Sequence, residues 1–136
     1  MKVDLKWNRQ TKKLLETLPD KIVQEIALET LNLTAPIIPM SSPLERNLTR
    51  GRLRRETVAS GVQKSGKTYY LESPTYYANY VYNFNDSTTN WSTPNTHSHW
   101  FERTWQKQGN LIVDRTVERN KLWRLMRYLL LILIHL

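Results

Sequence analysis

His97-Thr-His99, with Asp86 nearby in the chain, is the only metal-like grouping in the sequence. Two histidines at i and i+2 converge on an ion only where the loop turns suitably. A structural zinc takes four ligands, and the spacing specifies no third. A polar loop without a metal is therefore expected. Gly66-Lys67-Thr68 lacks the upstream glycine that phosphate-cradling loops place ahead of their lysine. Ser41, Ser42, Ser60 and Ser65 have no neighbouring base to activate a hydroxyl. The carboxylates lie scattered, mainly on helix faces, and form no acid–base pair. No catalytic residue, metal or cofactor is expected, and the chain reads as a non-enzyme. A toxin-like nuclease with His97 or His99 as base is the weaker alternative, because no other paired catalytic group completes such a site.

A second chemistry-bearing stretch is cationic. Arg46, Arg50, Arg52, Arg54 and Arg55 follow Ser41-Ser42-Pro43 in what reads as a loop over residues 40–55. Guanidinium groups grip a phosphate with two bonds, and clustered charge neutralises a nucleic-acid backbone. The same groups pair with carboxylates on a partner protein. A merely solvated loop is the plain alternative. The net charge of +8, from 20 Lys and Arg against 12 Asp and Glu, permits nucleic acid, an acidic protein or anionic lipid. There is no recognised DNA-reading helix and no zinc finger. A nucleic-acid-binding module would use the 46–55 arginines, with Tyr69, Tyr70 or Trp91 for stacking.

Residues 68–84 hold every tyrosine but Tyr128. The first part reads as a strand, with Tyr69 and Leu71 on one side and Tyr70 on the other. Ser73 as N-cap and Pro74 at the first helical position fit a short helix to about residue 82. That helix places Tyr77, Ala78 and Val81 on one face, and Tyr76, Tyr80 and Asn83 on another. A phenol buries a large ring yet wants a partner for its hydroxyl. So many in one small domain suit a half-buried seam, beneath a loop or against another protein. An ordinary aromatic core is the alternative.

The elements that must carry these residues follow from periodicity. The length suggests one domain, large enough for a core without staples. Cysteine is absent, which excludes disulfides and thiolate metal sites and fits a reducing site of synthesis. The start of the chain lacks the pattern of a signal peptide. Residues 2–7 read as a strand or extended lead-in, and Asn8 as the N-cap of a helix to Leu18, with Leu14, Leu15 and Leu18 inside. Pro19 breaks that helix and opens the strongest helical segment, residues 19–34. Its stripe is Ile22, Val23, Ile26, Ala27, Thr30 and Leu33. Pro36 and Pro39 force an extended path. Residues 57–63 read as a strand with Val58 and Val62 on one face, joined to the next by a turn at 64–67. Residues 85–99 are a long polar loop, for interaction or mobile. A helical region then starts near Ser98 or His99, with Phe101 and Trp105 as i, i+4 neighbours and Gly109-Asn110 as an expected interruption. Ile112, Val113, Thr116 and Val117 continue its inner stripe.

The order of these features resembles the small minor capsid or neck proteins of tailed bacteriophages. The resemblance spans roughly residues 3–121 and rests on short motifs. Thr49-Arg50-Gly51-Arg52-Leu53-Arg54 resembles the family's Thr-Gly-x-Leu-Arg turn, with an extra residue between Thr and Gly. Pro74-Thr-Tyr-Tyr-Ala78 resembles its Pro-Tyr-Ala turn, with an insertion. Asn85-Asp86 stands where the family often has Gly-Thr. Trp100, Phe101 and Trp105 match the aromatic opening of the last helix. The resemblance implies an α+β fold: long amphipathic helices packed on a small antiparallel β-sheet, with extended loops. It also implies a homo-oligomeric ring, of six subunits by expectation, at the head–tail junction of the virion, made in the host bacterial cytoplasm. Its partners would be head-completion, portal-adaptor or tail-terminator proteins, with non-specific contact to genome DNA.

Such a subunit needs two different contact surfaces. Tyr76, Tyr77, Tyr80, Tyr82, Trp91 and Trp100 are the expected aromatic contacts. Arg46, Arg50, Arg52, Arg54 and Arg55 are the expected contacts to DNA or an acidic partner. Residues 122–136 lie outside the resemblance and form an apolar tail, with Leu129 and Leu133 as contacts. Its unbroken apolar run is too short to span a bilayer, which takes roughly 20 residues. Docking as a helix end or extended tail, on its own domain or on a neighbouring subunit, is expected. Attachment to a membrane surface is the lesser alternative, on the strength of Arg124 and Arg127.

Overall fold

The computed structural model describes residues 18–40, 51–66 and 68–134. Residues 1–17, with the expected first helix, lie outside that set, as do Arg46 and Arg50. The fold is α+β. Helix α1 (Asp20–Thr34) runs into a 3-10 turn (Ala35–Ile37). Helix α2 (Arg52–Ser60), strands β1 (Val62–Ser65) and β2 (Thr68–Leu71), the short helix α3 (Ala78–Tyr82) and the long helix α4 (Trp100–Ile134) follow.

Helix α1 forms where the stripe predicts it. Pro19 stands at its N-cap and Asp20 puts a carboxylate in its first turn, where the helix dipole favours negative charge. Ile22, Ile26, Thr30, Leu31 and Thr34 are buried. Pro36 then tightens the chain into the 3-10 turn instead of leaving it extended at once.

Helix α2 corrects two expectations. Residues 52–55 are not loop, and residues 57–60 are not strand. Leu53 and Thr57, one turn apart, are the buried pair, and Arg52 Nε meets Glu56 Oε1 at 2.7 Å across the same spacing. The i, i+4 pairings outweigh the short alternation that suggests a strand. Gly51 and Gly61 bound the helix with φ of +76° and +63°, a region that glycine enters without a Cβ penalty.

The hairpin pairs Val62 with Leu71 and Ser65 with Thr68 in antiparallel register. It packs against α1. Tyr69 donates its hydroxyl proton to Asp20 at 2.6 Å, and Lys64 Nζ lies 3.3 Å from the same carboxylate oxygen. The Tyr69 bond comes first in holding the Asp20 carboxyl below its ordinary range.

Ser73 is not a helix cap. It is fully buried, with its hydroxyl 2.7 Å from that of Thr57 and 3.3 Å from the Trp100 indole nitrogen. Residues 74–77 make a turn closed by Ala78 N donating to Thr75 O, and α3 begins only at Ala78. The predicted division of its faces holds: Ala78 is buried, Tyr77 and Val81 pack beside the core, and Tyr76 and Tyr80 are exposed.

Helix α4 is continuous for 35 residues, so Gly109-Asn110 does not interrupt it. It antiparallels α1, with Thr104 facing Thr34 near one end and Asn120 donating to Glu25 near the other. Among the described residues, two clusters form the core. One gathers Leu31, Ile38, Leu53, Ala78, Tyr82, Trp100 and Phe101. The other joins Ile22 and Ile26 to Ile112 and Val113.

Gly109 is buried because a ring lies over it. A Cβ there would come 2.7 Å from the Trp105 indole. Alanine improves helix propensity by about 1 kcal/mol, whereas overpacking costs about 1–3 kcal/mol. Gly109→Ala should therefore lower stability by about 1 kcal/mol net in urea unfolding. A gain in stability would show that Trp105 yields freely.

Candidate functional site

The expected arginine cluster is spread over local partners. Arg52 is paired with Glu56, and its guanidinium carbon sits 5.5 Å from the centre of the Tyr76 ring. Thr75 donates to the other Glu56 oxygen at 2.7 Å. The pairing with Arg52 lowers the Glu56 carboxyl from its ordinary range. Arg54 donates to the carbonyls of Pro36 and Ile38 at 3.0 and 2.8 Å. It thereby satisfies acceptors that the end of α1 and the 3-10 turn leave unpaired. Arg55 is exposed, with its guanidinium against Gly51. The side chains brought together here tie α2 to the tyrosine segment and to the α1 terminus.

The expected aromatic contacts divide into three groups. Tyr76 and Tyr80 are 83% and 73% exposed. Tyr77 and Trp91 are half-buried and line a groove of about 350 Å³ with Met40, Leu53, Val81 and Phe84. Tyr82 and Trp100 are buried at 3% and 0%, so neither presents its ring to another subunit. Their rings meet edge to face at 4.6 Å, and the Tyr82 hydroxyl accepts from Glu102 N in the first turn of α4 at 3.5 Å. Burial pushes the Tyr82 phenol well above its ordinary range. An aromatic-rich stretch does not by itself reveal which rings the core takes. The i, i+4 link from buried Ala78 to Tyr82 is the signal that separates them.

Sequence reading gave Asp86 only as a neighbour of the histidines. The structure makes it the hub of residues 85–99. Its Oδ1 accepts from Trp91 Nε1 at 2.7 Å and from Ser98 N at 3.1 Å. Its Oδ2 lies 2.9 Å from His97 Nδ1 and 3.0 Å from Arg103 Nη2. Burial alone would raise this carboxyl, but the bonds from His97, Trp91 and Ser98 outweigh it and hold the group below its ordinary range. His99 does not join. Its Nδ1 lies 3.1 Å from Ser98 Oγ, and its ring packs beside Tyr82. Among the described residues, no three His, Asp or Glu side chains are placed to hold a metal ion. Two more bonds fasten the loop, His97 N to Ile37 O and Thr93 Oγ1 to Met40 O. The expected long polar loop is thus anchored at several points.

Residues 122–134 continue α4 as helix, and among the described residues this part of the tail packs against no other element. Leu122, Leu125, Met126, Tyr128, Leu129, Leu130, Leu131, Ile132 and Leu133 are all exposed, from 41% at Ile132 to 67% at Leu133. No helix of the described residues is long and apolar enough to cross a membrane. No protein-family model, curated protein or solved structure matches the chain.

Removing the Asp86 carboxylate should release the loop. Charge-assisted bonds contribute about 1.5–3 kcal/mol, so Asp86→Ala should cost about 2–3 kcal/mol at pH 7. The folded pKa is depressed, so this stabilisation is full above the unfolded carboxyl value near 4. It is lost as pH falls through the folded value. Urea unfolding of both proteins at pH 7 and pH 3 should show the difference narrowing in acid. An equal difference at both pH values would remove Asp86 ionisation as its source.

Proposed function

We propose that the chain is a structural, non-enzymatic subunit of a tailed-bacteriophage neck, acting by assembly with further copies of itself. The observation that carries this reading is the exposed apolar arm formed by the last turns of α4. A helix apolar around most of its circumference is stable when other helices cover it. At roughly 100 Å² of exposed apolar surface apiece, its side chains offer an area on the scale of the roughly 800 Å² per partner buried in a standard interface.

The spacing supports a second copy as the cover. Leu122, Leu125, Leu129 and Ile132 recur at intervals of three and four, the seam that packs helix against helix. Arg124 lies off that seam, so like charges do not face each other across it. Met126, Leu130, Leu131 and Leu133 extend the apolar surface beyond a narrow seam, which suits a bundle of several arms better than a pair. Exposed Tyr76 and Tyr80 provide a separate aromatic patch, in keeping with the two unlike surfaces of a ring subunit. The neck assignment itself comes from the sequence resemblance, including the aromatic opening of α4. A ring of six, virion localisation and contact with head-completion, portal-adaptor or tail-terminator proteins belong to the same proposal.

The test uses the full chain and a variant with Leu125→Gln, Leu129→Gln and Ile132→Gln. Glutamine keeps helix propensity close to that of leucine. Sedimentation should show the parent as a discrete multimer, and ring particles should appear in negative stain. The variant should run as a monomer that keeps the helical circular dichroism of the parent and still unfolds cooperatively, with a lower midpoint because the covering copies are gone. A parent that remains monomeric at high concentration and fails to bind purified heads or tails would overturn the proposal.

A further inference from the structure

We infer that the cleft between the 3-10 turn and the first turns of α4 is a binding site for a phosphate-type oxyanion. The cleft is about 220 Å³ and is lined by Ile37, Asn95, His97, Arg103, Lys107 and Gln108, among others. Its chemistry is that of a donor pocket with an apolar wall. The Asp86 carboxylate accepts from His97 Nδ1, so Nε2 of the neutral ring is an acceptor, which the P–OH of a phosphate can meet. A carboxylate behind one imidazole nitrogen fixes the orientation of the ring. Arg103 gives Nη2 to the same carboxylate and brings its positive charge to the cleft wall, while its Nε is buried and closed to solvent. Lys107 follows Arg103 by one turn of α4 and is exposed. Asn95 and Gln108 add side-chain amide donors.

A carboxylate–histidine pair is also the usual support for a metal. Here Arg103 and Lys107 line the same cleft, and their charge opposes a cation. They favour an anion. Asp86 offsets one of those two positive charges, and its oxygens are turned to their donors, so the cleft keeps a positive balance from Arg103 and Lys107. The donors come from the loop and from successive turns of α4. That spread suits an oxyanion with more than two acceptor oxygens better than a planar carboxylate. The ligand is inorganic phosphate or the phosphodiester of a nucleic acid. This inference stands apart from the assembly reading, since the cleft does not involve the arm.

The experiment titrates ¹⁵N-labelled full-length protein with inorganic phosphate at constant ionic strength, with chloride as control. The amides of Asn95, His97 and Gln108 should shift saturably. In Lys107→Gln the apparent Kd should rise about tenfold, the loss of one charge-assisted contact. Lys121→Gln, on the same helix but outside the cleft, should leave it unchanged. A short oligonucleotide is the second probe. Displacement of phosphate by the oligonucleotide identifies a phosphodiester, and binding of phosphate without competition identifies the free ion. Both outcomes support the site. No saturable shift with either probe, or equal binding in Lys107→Gln, overturns it. A thermal midpoint unchanged in Lys107→Gln keeps that result separate from misfolding.

Discussion

The antiparallel contact between α1 and α4 is the constraint on which the rest of the structure depends. Ile22 and Ile26 meet Ile112 and Val113, and the Thr34 and Thr104 hydroxyls lie 2.9 Å apart. The two helices have very different lengths. At 1.5 Å per residue, α1 with its 15 residues reaches about 22 Å, and α4 with its 35 reaches about 52 Å. The longer helix outruns its partner. Its first half is held by α1 and by the aromatic cluster at Trp100. Its last turns have neither, and the apolar arm follows directly from that mismatch. A chain that had only to complete its own core would place polar residues there.

The interior is also unusually rich in hydroxyls. Thr30, Thr34, Thr57, Thr104 and Thr116 are buried, and each has its hydroxyl within bonding distance of the carbonyl four residues earlier. That arrangement satisfies the side chain within its own helix at little cost. Two of these hydroxyls also reach outward. Thr34 meets Thr104 of α4, and Thr57 meets Ser73 of the tyrosine segment. Ser73 in turn receives the Trp100 indole. Such pairings fix how elements sit relative to one another, because a shift would strand buried polar groups. Apolar packing of the same volume would tolerate more sliding.

This division accounts for what was legible in the sequence. The stripes of α1 and α4 repeat over several turns, so Ile22, Ile26, Ile112, Val113 and Thr116 could be read as inward-facing. The hairpin was legible from its turn residues. Helix α2 was not, because nine residues carry little periodicity and Val58 and Val62 mimic alternation. Ser73 was misread because a serine before proline looks like a cap, and its true partners lie 16 and 27 positions away. The Asp86 hub was missed for the same reason: its bonds to Trp91, His97, Ser98 and Arg103 depend on how the loop folds back onto α4. Local patterns report helices. They do not report which distant donor a carboxylate finds.

The cationic surplus is placed by the same logic. Arg52 and Arg54 look like a ligand-seeking cluster in one dimension, yet α2 turns Arg52 to Glu56 and Arg54 to the carbonyls ending α1. A guanidinium suits that second task because its planar fork reaches two acceptors at once. Helix α4 carries Arg103, Lys107, Arg115, Arg119, Lys121, Arg124 and Arg127 against Glu102, Asp114 and Glu118. Charge spread along an exposed helix repels like copies at long range, although salt screens it beyond about 8–10 Å. The apolar surface of the arm must overcome that repulsion at contact. A helix that is basic along its shaft and apolar at its end therefore resists indiscriminate clumping, and it rewards only the geometry that brings the arms together.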